Sequence, residues 1–93
     1  MRTYEFALIL TQEAGKDDNQ KKSHVEELLL KVKGKITDTK ILGLKDLAYP
    51  IKKQAKGWYG FFKIELPEEA VKKLDTLAKQ DEKILRYLLV REG

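Results

Sequence analysis

Apolar residues alternate strictly at the start of the chain. Tyr4, Phe6, Leu8 and Leu10 take every second position from Arg2 to Leu10, with Thr3, Glu5, Ala7 and Ile9 between them. A period of two is that of a strand, and the half-apolar second face predicts a strand with neighbours on both sides. Thr11 to Asn19 is polar, with Gly15 and the Asp17-Asp18 pair, and reads as a loop leading into a helix start. The period then lengthens. Val25, Leu28, Leu29 and Val32 fall at i, i+3, i+4 and i+7 and predict a helix over about Asp18–Lys33. Lys31 and Lys33 suit the negative end of its dipole, and Gly34 is placed to supply a left-handed residue just past it.

Ile36 to Tyr49 reads as a second strand, with Gly43 marking a bulge. Pro50 lacks a ladder donor, so this strand should lie on an edge or end there. Lys52–Gly57 reads as a basic turn region and Trp58–Leu66 as a third strand. On that strand Phe62 and Ile64 are expected to face the helices, with Phe61 on the other side. Pro67 opens a second helix with Glu68 and Glu69 near its N-terminus and Val71, Leu74, Leu77 and Ala78 as its stripe. Ile84–Arg91 is the fourth strand. The order β-α-β-β-α-β predicts an α+β, ferredoxin-like fold, with a four-stranded antiparallel sheet and both helices on one face.

With 93 residues, the chain has room for one core, so residues 1–93 read as a single domain. No apolar run approaches the roughly 20 residues of a spanning helix, and the charged start lacks the apolar stretch of a signal peptide. The absence of cysteine removes disulfides, thiolate zinc sites and a Cys nucleophile, and fits a reducing cytoplasm. The net charge is +4, and most of it is local, because residues 45–57 carry Lys45, Lys52, Lys53 and Lys56 against Asp46 alone. A basic patch of this kind favours an anionic partner such as nucleic acid.

Catalytic chemistry has little to stand on. His24 is the only histidine and reads as a boundary residue of the first helix. The acids are scattered along helix surfaces rather than clustered as metal ligands, and no phosphate-binding glycine loop is present. No cofactor, metal or small-molecule substrate is therefore expected. Lys56-Gly57-Trp58-Tyr59-Gly60-Phe61-Phe62-Lys63-Ile64 resembles the third-strand motif of RNA-recognition domains, with an extra aromatic that shifts the spacing. It supports an alternative reading as an autonomous single-stranded RNA binder using the third-strand aromatics. Leu47-Ala48-Tyr49-Pro50-Ile51 is apolar yet lies beyond the part of the sheet that the helices can cover, with Trp58 and Tyr59 returning past it. Such a patch, rimmed by lysines, predicts a protein contact beside a nucleic-acid contact.

These residues carry a resemblance. Met1-Arg2-x-Tyr4-Glu5, Gly43-Leu44-Lys45-x-Leu47-Ala48-Tyr49-Pro50-Ile51, Gly57-x-Tyr59, and Arg86 with Arg91 resemble the bacterial small-ribosomal-subunit protein S-six family over nearly the whole chain. The resemblance implies a non-enzymatic, cytoplasmic role in the ribosome. It implies binding to the central domain of small-subunit ribosomal RNA, in the platform, together with the small-subunit protein S-eighteen. Carried over by motif, Arg2, Arg86 and Arg91 face RNA, joined by Lys45, Lys52 and Lys53 of the basic patch. Leu47, Ala48, Tyr49, Pro50 and Ile51, with Trp58 and Tyr59, form the partner surface. Asp46 departs from the family, which often has a second basic residue there.

Overall fold

The computed structural model describes residues 2–92. Met1, which opens the first motif, and Gly93, the last residue, lie outside the described residues. The elements are β1 (Arg2–Leu10), α1 (Asp18–Leu30), β2 (Lys35–Ile51), β3 (Gln54–Leu66), α2 (Val71–Gln80) and β4 (Ile84–Arg91). Short 3-10 turns at Gln12–Ala14 and Glu68–Ala70 precede the two helices. The strands form one sheet in the order β2-β3-β1-β4, every pair antiparallel. This is the expected ferredoxin-like arrangement.

The alternation in β1 decides which face is buried. Tyr4, Phe6, Leu8 and Leu10 point into the core with Trp58, Phe62, Ile64 and Leu66 of β3, and α1 closes over them with Val25, Leu28 and Leu29. Leu74 and Ala78 are the buried part of the α2 stripe, flanked by Val71 and Leu77. Thr3, Glu5, Ala7 and Ile9 share the opposite, open face with Tyr59, Phe61, Lys63 and Glu65.

Capping explains where α1 starts. The Asp17 carboxylate caps the helix by accepting the Gln20 N–H at 2.8 Å, and the Gln20 side-chain oxygen reaches back to accept the N–H of Lys16, just before the cap, at 2.8 Å. The helix is shorter than its stripe predicts, ending at Leu30 rather than Lys33. Lys33, not Gly34, takes the left-handed position, with φ of 60°. The N–H groups of Lys33 and Gly34 then close on the carbonyls of Leu30 and Leu29, a Schellman closure. Pro67 sits outside α2, with ψ of 142°, and the 3-10 turn after it starts the helix.

Three boundaries in the middle of the chain also move. Strand β2 runs through Pro50 to Ile51, β3 begins at Gln54, and the turn between them is only Lys52 and Lys53. The expected bulge is present: the register with β3 shifts between Ile41 and Gly43, and Gly43 has φ of +85°. That conformation is open to glycine at little cost.

α2 is stapled to β4 by Tyr87, whose hydroxyl donates a short hydrogen bond to the Asp75 carboxylate while its ring meets Phe6 edge-on at 6.1 Å. Burial, then the Asp75 carboxylate, push the Tyr87 hydroxyl up to about 12. The Tyr87 hydrogen bond, then Lys79, hold Asp75 below the usual carboxylate range. A raised Tyr87 contributes stability that is complete below its unfolded value, about pH 10, and lost as pH rises through about 12. The lowered Asp75 contributes stability that is lost as pH falls below its ordinary range. Denaturant unfolding of the protein and of Tyr87→Phe across pH should therefore differ most near neutrality, with the gap narrowing at both extremes. A gap independent of pH would mean that the Tyr87–Asp75 hydrogen bond is not the source of the difference.

Candidate nucleic-acid and partner interface

The β2–β3 hairpin outruns the sheet. Leu10 at the end of β1 pairs with Trp58, so residues 45–57 project past it as an arm. Asp46 lies opposite Lys56, yet the next pair is Ile51 with Gln54, so Leu47, Ala48, Tyr49 and Pro50 together face only Ala55. This wide irregularity is why an edge strand passes through a proline, since Pro50 sits where the ladder asks for no donor. Lys52 and Lys53 turn the chain with φ of 49° and 66°. Two consecutive left-handed residues make a mirror-image two-residue turn, a place where Asn-Gly is preferred. Using lysines here puts two cations at the tip at a cost of roughly 1–2 kcal/mol per residue.

The arm curls back onto the end of the sheet. Leu47 and Ile9 close on Gly57, where an added Cβ would stand 3.3 Å and 2.4 Å from their methyl groups, so only glycine allows this approach. Lys52 Nζ donates to the Ile84 carbonyl oxygen at 3.3 Å. Arg86 Nη2 donates to the Tyr49 hydroxyl at 3.1 Å, and its guanidinium carbon lies 5.7 Å from the centre of the Tyr49 ring. Tyr49 is still 58% exposed, with Ala48 and Pro50 exposed beside it and Leu47 and Ile51 half-buried.

Trp58 is not part of that surface. It is 1% exposed, on the helix-facing side of β3, and its indole N–H donates to the Asp18 carboxylate at 2.8 Å. The reason is parity: Trp58 stands an even number of residues from Phe62, Ile64 and Leu66 and shares their face. Tyr59 is half-buried on the open face, opposite Ile9.

The cations fall into two groups. Arg2 lies opposite Leu66 and Arg91 opposite Tyr4, at one end of the sheet. Arg86 lies opposite Ile9, five residues farther along β1, or roughly 16 Å, at the end that carries Lys45, Lys52 and Lys53. Arg2 Nε donates to Glu68 at 3.1 Å, which offsets part of its charge. Asp46 approaches Lys56, at 3.9 Å, so its charge is directed across the arm. Among the described residues, Lys45, Lys53 and Arg91 make no ion pair.

The other sequence candidates resolve simply. His24 Nε2 lies 2.6 Å from the Asp81 carboxylate, joining α1 to the residue that caps the end of α2. Among the described residues no three His, Cys, Asp or Glu side chains gather as a metal site. Among the described residues no helix is long and apolar enough to cross a membrane. Phe61 is 40% exposed on the open face, but its partner across the strand pair is Ala7, so the platform has one side only. The Tyr49–Arg86 contact was missed by reading the sequence, because it joins residues 37 apart in the chain that carry no shared motif.

Comparison with known proteins agrees with this architecture. The profile of the family described as Ribosomal protein S6 matches residues 3–91. The small ribosomal subunit protein bS6 of Phytoplasma australiense is 33% identical over 93 residues, covering 99% of this chain and all of that protein. The bS6 of Porphyromonas gingivalis is 35% identical over 95 residues, covering 99% of this chain and 80% of the relative. The crystal structure of 30S ribosomal protein S6 from Thermotoga maritima superposes with a TM-score of 0.77 at 22% identity, over 98% of this chain and 87% of that one, a likeness of fold. This chain belongs to the ribosomal protein S6 family of the small ribosomal subunit.

Proposed function

We propose that the chain is a non-catalytic architectural piece of the small subunit. It docks the protein S-eighteen on its hairpin arm and, in that complex, grips the central domain of small-subunit ribosomal RNA in the cytoplasmic ribosome. The observation that carries this reading is the arm itself. An apolar Leu47–Ile51 string stands outside the two-layer core with Lys45, Lys52, Lys53 and Arg86 around its root and tip. Apolar surface held clear of a core serves a protein partner, and cations beside it serve phosphates. Arg2 and Arg91 provide a second, separate phosphate contact at the far end of the sheet.

The test is sedimentation of the tagged chain with bacterial small subunits, together with recovery of S-eighteen from the same lysate. Both are expected, and release of the RNA should steepen with salt, by at most about 0.9 log units of affinity per phosphate contact for each log unit of salt. A chain that stays at the top of the gradient would overturn the proposal. A chain that alone retards a short oligonucleotide, and loses this on Phe61→Ala, would favour the third-strand aromatics instead.

A further inference from the structure

We propose that Tyr49 is a positioning residue for Arg86, so that occupation of the arm by its protein partner orients the guanidinium for RNA. This rests on the reading of the arm as the partner site and of Arg86 as RNA-facing. The geometry places both roles in one contact. Tyr49 belongs to the exposed apolar string of β2, and Arg86 belongs to β4, at the opposite edge of the sheet. They meet because the arm curls over the sheet end, and they meet twice, through the hydroxyl at 3.1 Å and through the ring face at 5.7 Å.

A guanidinium carries five N–H donors in a planar fork. The Tyr49 hydroxyl takes one of them from Nη2, which leaves four for phosphate oxygens. The contact therefore aims Arg86 without using it up. In the free chain the aim is loose, because Tyr49 is more exposed than buried, although Leu47 and Lys52, on the Ile84 carbonyl, hold the arm from below. A partner packed over Leu47–Ile51 fixes the Tyr49 ring and, with it, the fork. Such coupling is reciprocal: RNA on Arg86 must tighten the arm for the partner by the same factor.

A double-mutant cycle tests this. RNA affinity is measured for the wild-type chain saturated with S-eighteen, and for Tyr49→Phe, Arg86→Ala and the double variant in the same state. Tyr49→Phe keeps the ring and removes the hydroxyl. With the chain saturated with S-eighteen, it should lower RNA affinity about five-fold, the effect of one modest hydrogen bond. In the Arg86→Ala background the same change should cost nothing. An equal loss in both backgrounds, or no loss in either, overturns the joint. If Arg86→Ala alone leaves RNA affinity untouched, the RNA-facing reading of Arg86 fails and takes the joint with it. That result is distinguishable, because it appears before Tyr49 is altered.

Discussion

Trp58→Ala should unfold a large fraction of the protein at temperatures the wild type tolerates, with a loss of about 3–5 kcal/mol. The magnitude follows from position. Trp58 is the largest fully buried side chain, pressed against Phe62 at 6.4 Å between ring centres. Both rings close over Gly60, where even a Cβ would come within 2.7 Å of the indole and 2.8 Å of the phenyl. That packing leaves nothing nearby that can move into the gap. A domain of this size has only about 5–15 kcal/mol in hand, so the loss consumes much of it. Trp58→Phe should cost less, since it keeps an aromatic ring and leaves a smaller cavity, and the lost indole hydrogen bond leaves an Asp18 acceptor that is exposed and can turn to water. Urea unfolding followed by circular dichroism reads both changes. Partner capture by Trp58→Phe, measured where that variant is folded, should equal that of the wild type. A specific loss of capture by a folded Trp58→Phe would return the indole to the docking surface and contradict its burial.

That correction also marks how far a single sequence can be read. The β1 alternation and the two helical stripes had one interpretation each, because burial of a face forces a period, and topology followed from their order. Strand parity puts Phe62, Ile64 and Trp58 on one face alike, and it is a stronger constraint on Trp58 than the apolar Leu-Ala-Tyr-Pro-Ile string beside it. Other features had no sequence signal. A lysine taking the left-handed position while a glycine follows it, as at Lys33-Gly34, inverts the usual preference. The passage of β2 through Pro50 depends on a bulge of several residues, which only the jump in register from Asp46 with Lys56 to Ile51 with Gln54 reveals. The division of the arginines between two ends of the sheet depends on register. The meeting of Tyr49 with Arg86 depends on the curl of an arm whose direction no local pattern encodes.

Tyr49→Ala should weaken capture of S-eighteen by about 2 kcal/mol, or roughly thirty-fold, and leave the fold intact. Aromatic anchors dominate interfaces of modest size, and Tyr49 is the one large aromatic side chain on the arm that faces outward. Stability should hold, because Tyr49 is 58% exposed and its side-chain hydrogen bond is to Arg86, which is itself exposed. The loss should also respond to salt differently from RNA binding. Apolar contact is little screened, so the thirty-fold should persist in high salt, whereas affinity for RNA falls steeply as counterions compete. The two contributions separate in a titration of partner and RNA, alone and together, at two salt concentrations. Capture of S-eighteen by Tyr49→Ala at wild-type strength, with the variant folded, would mean that the partner sits elsewhere. The exposed carbon of Leu88 and Val90 on the open sheet face would then be the next surface to alter.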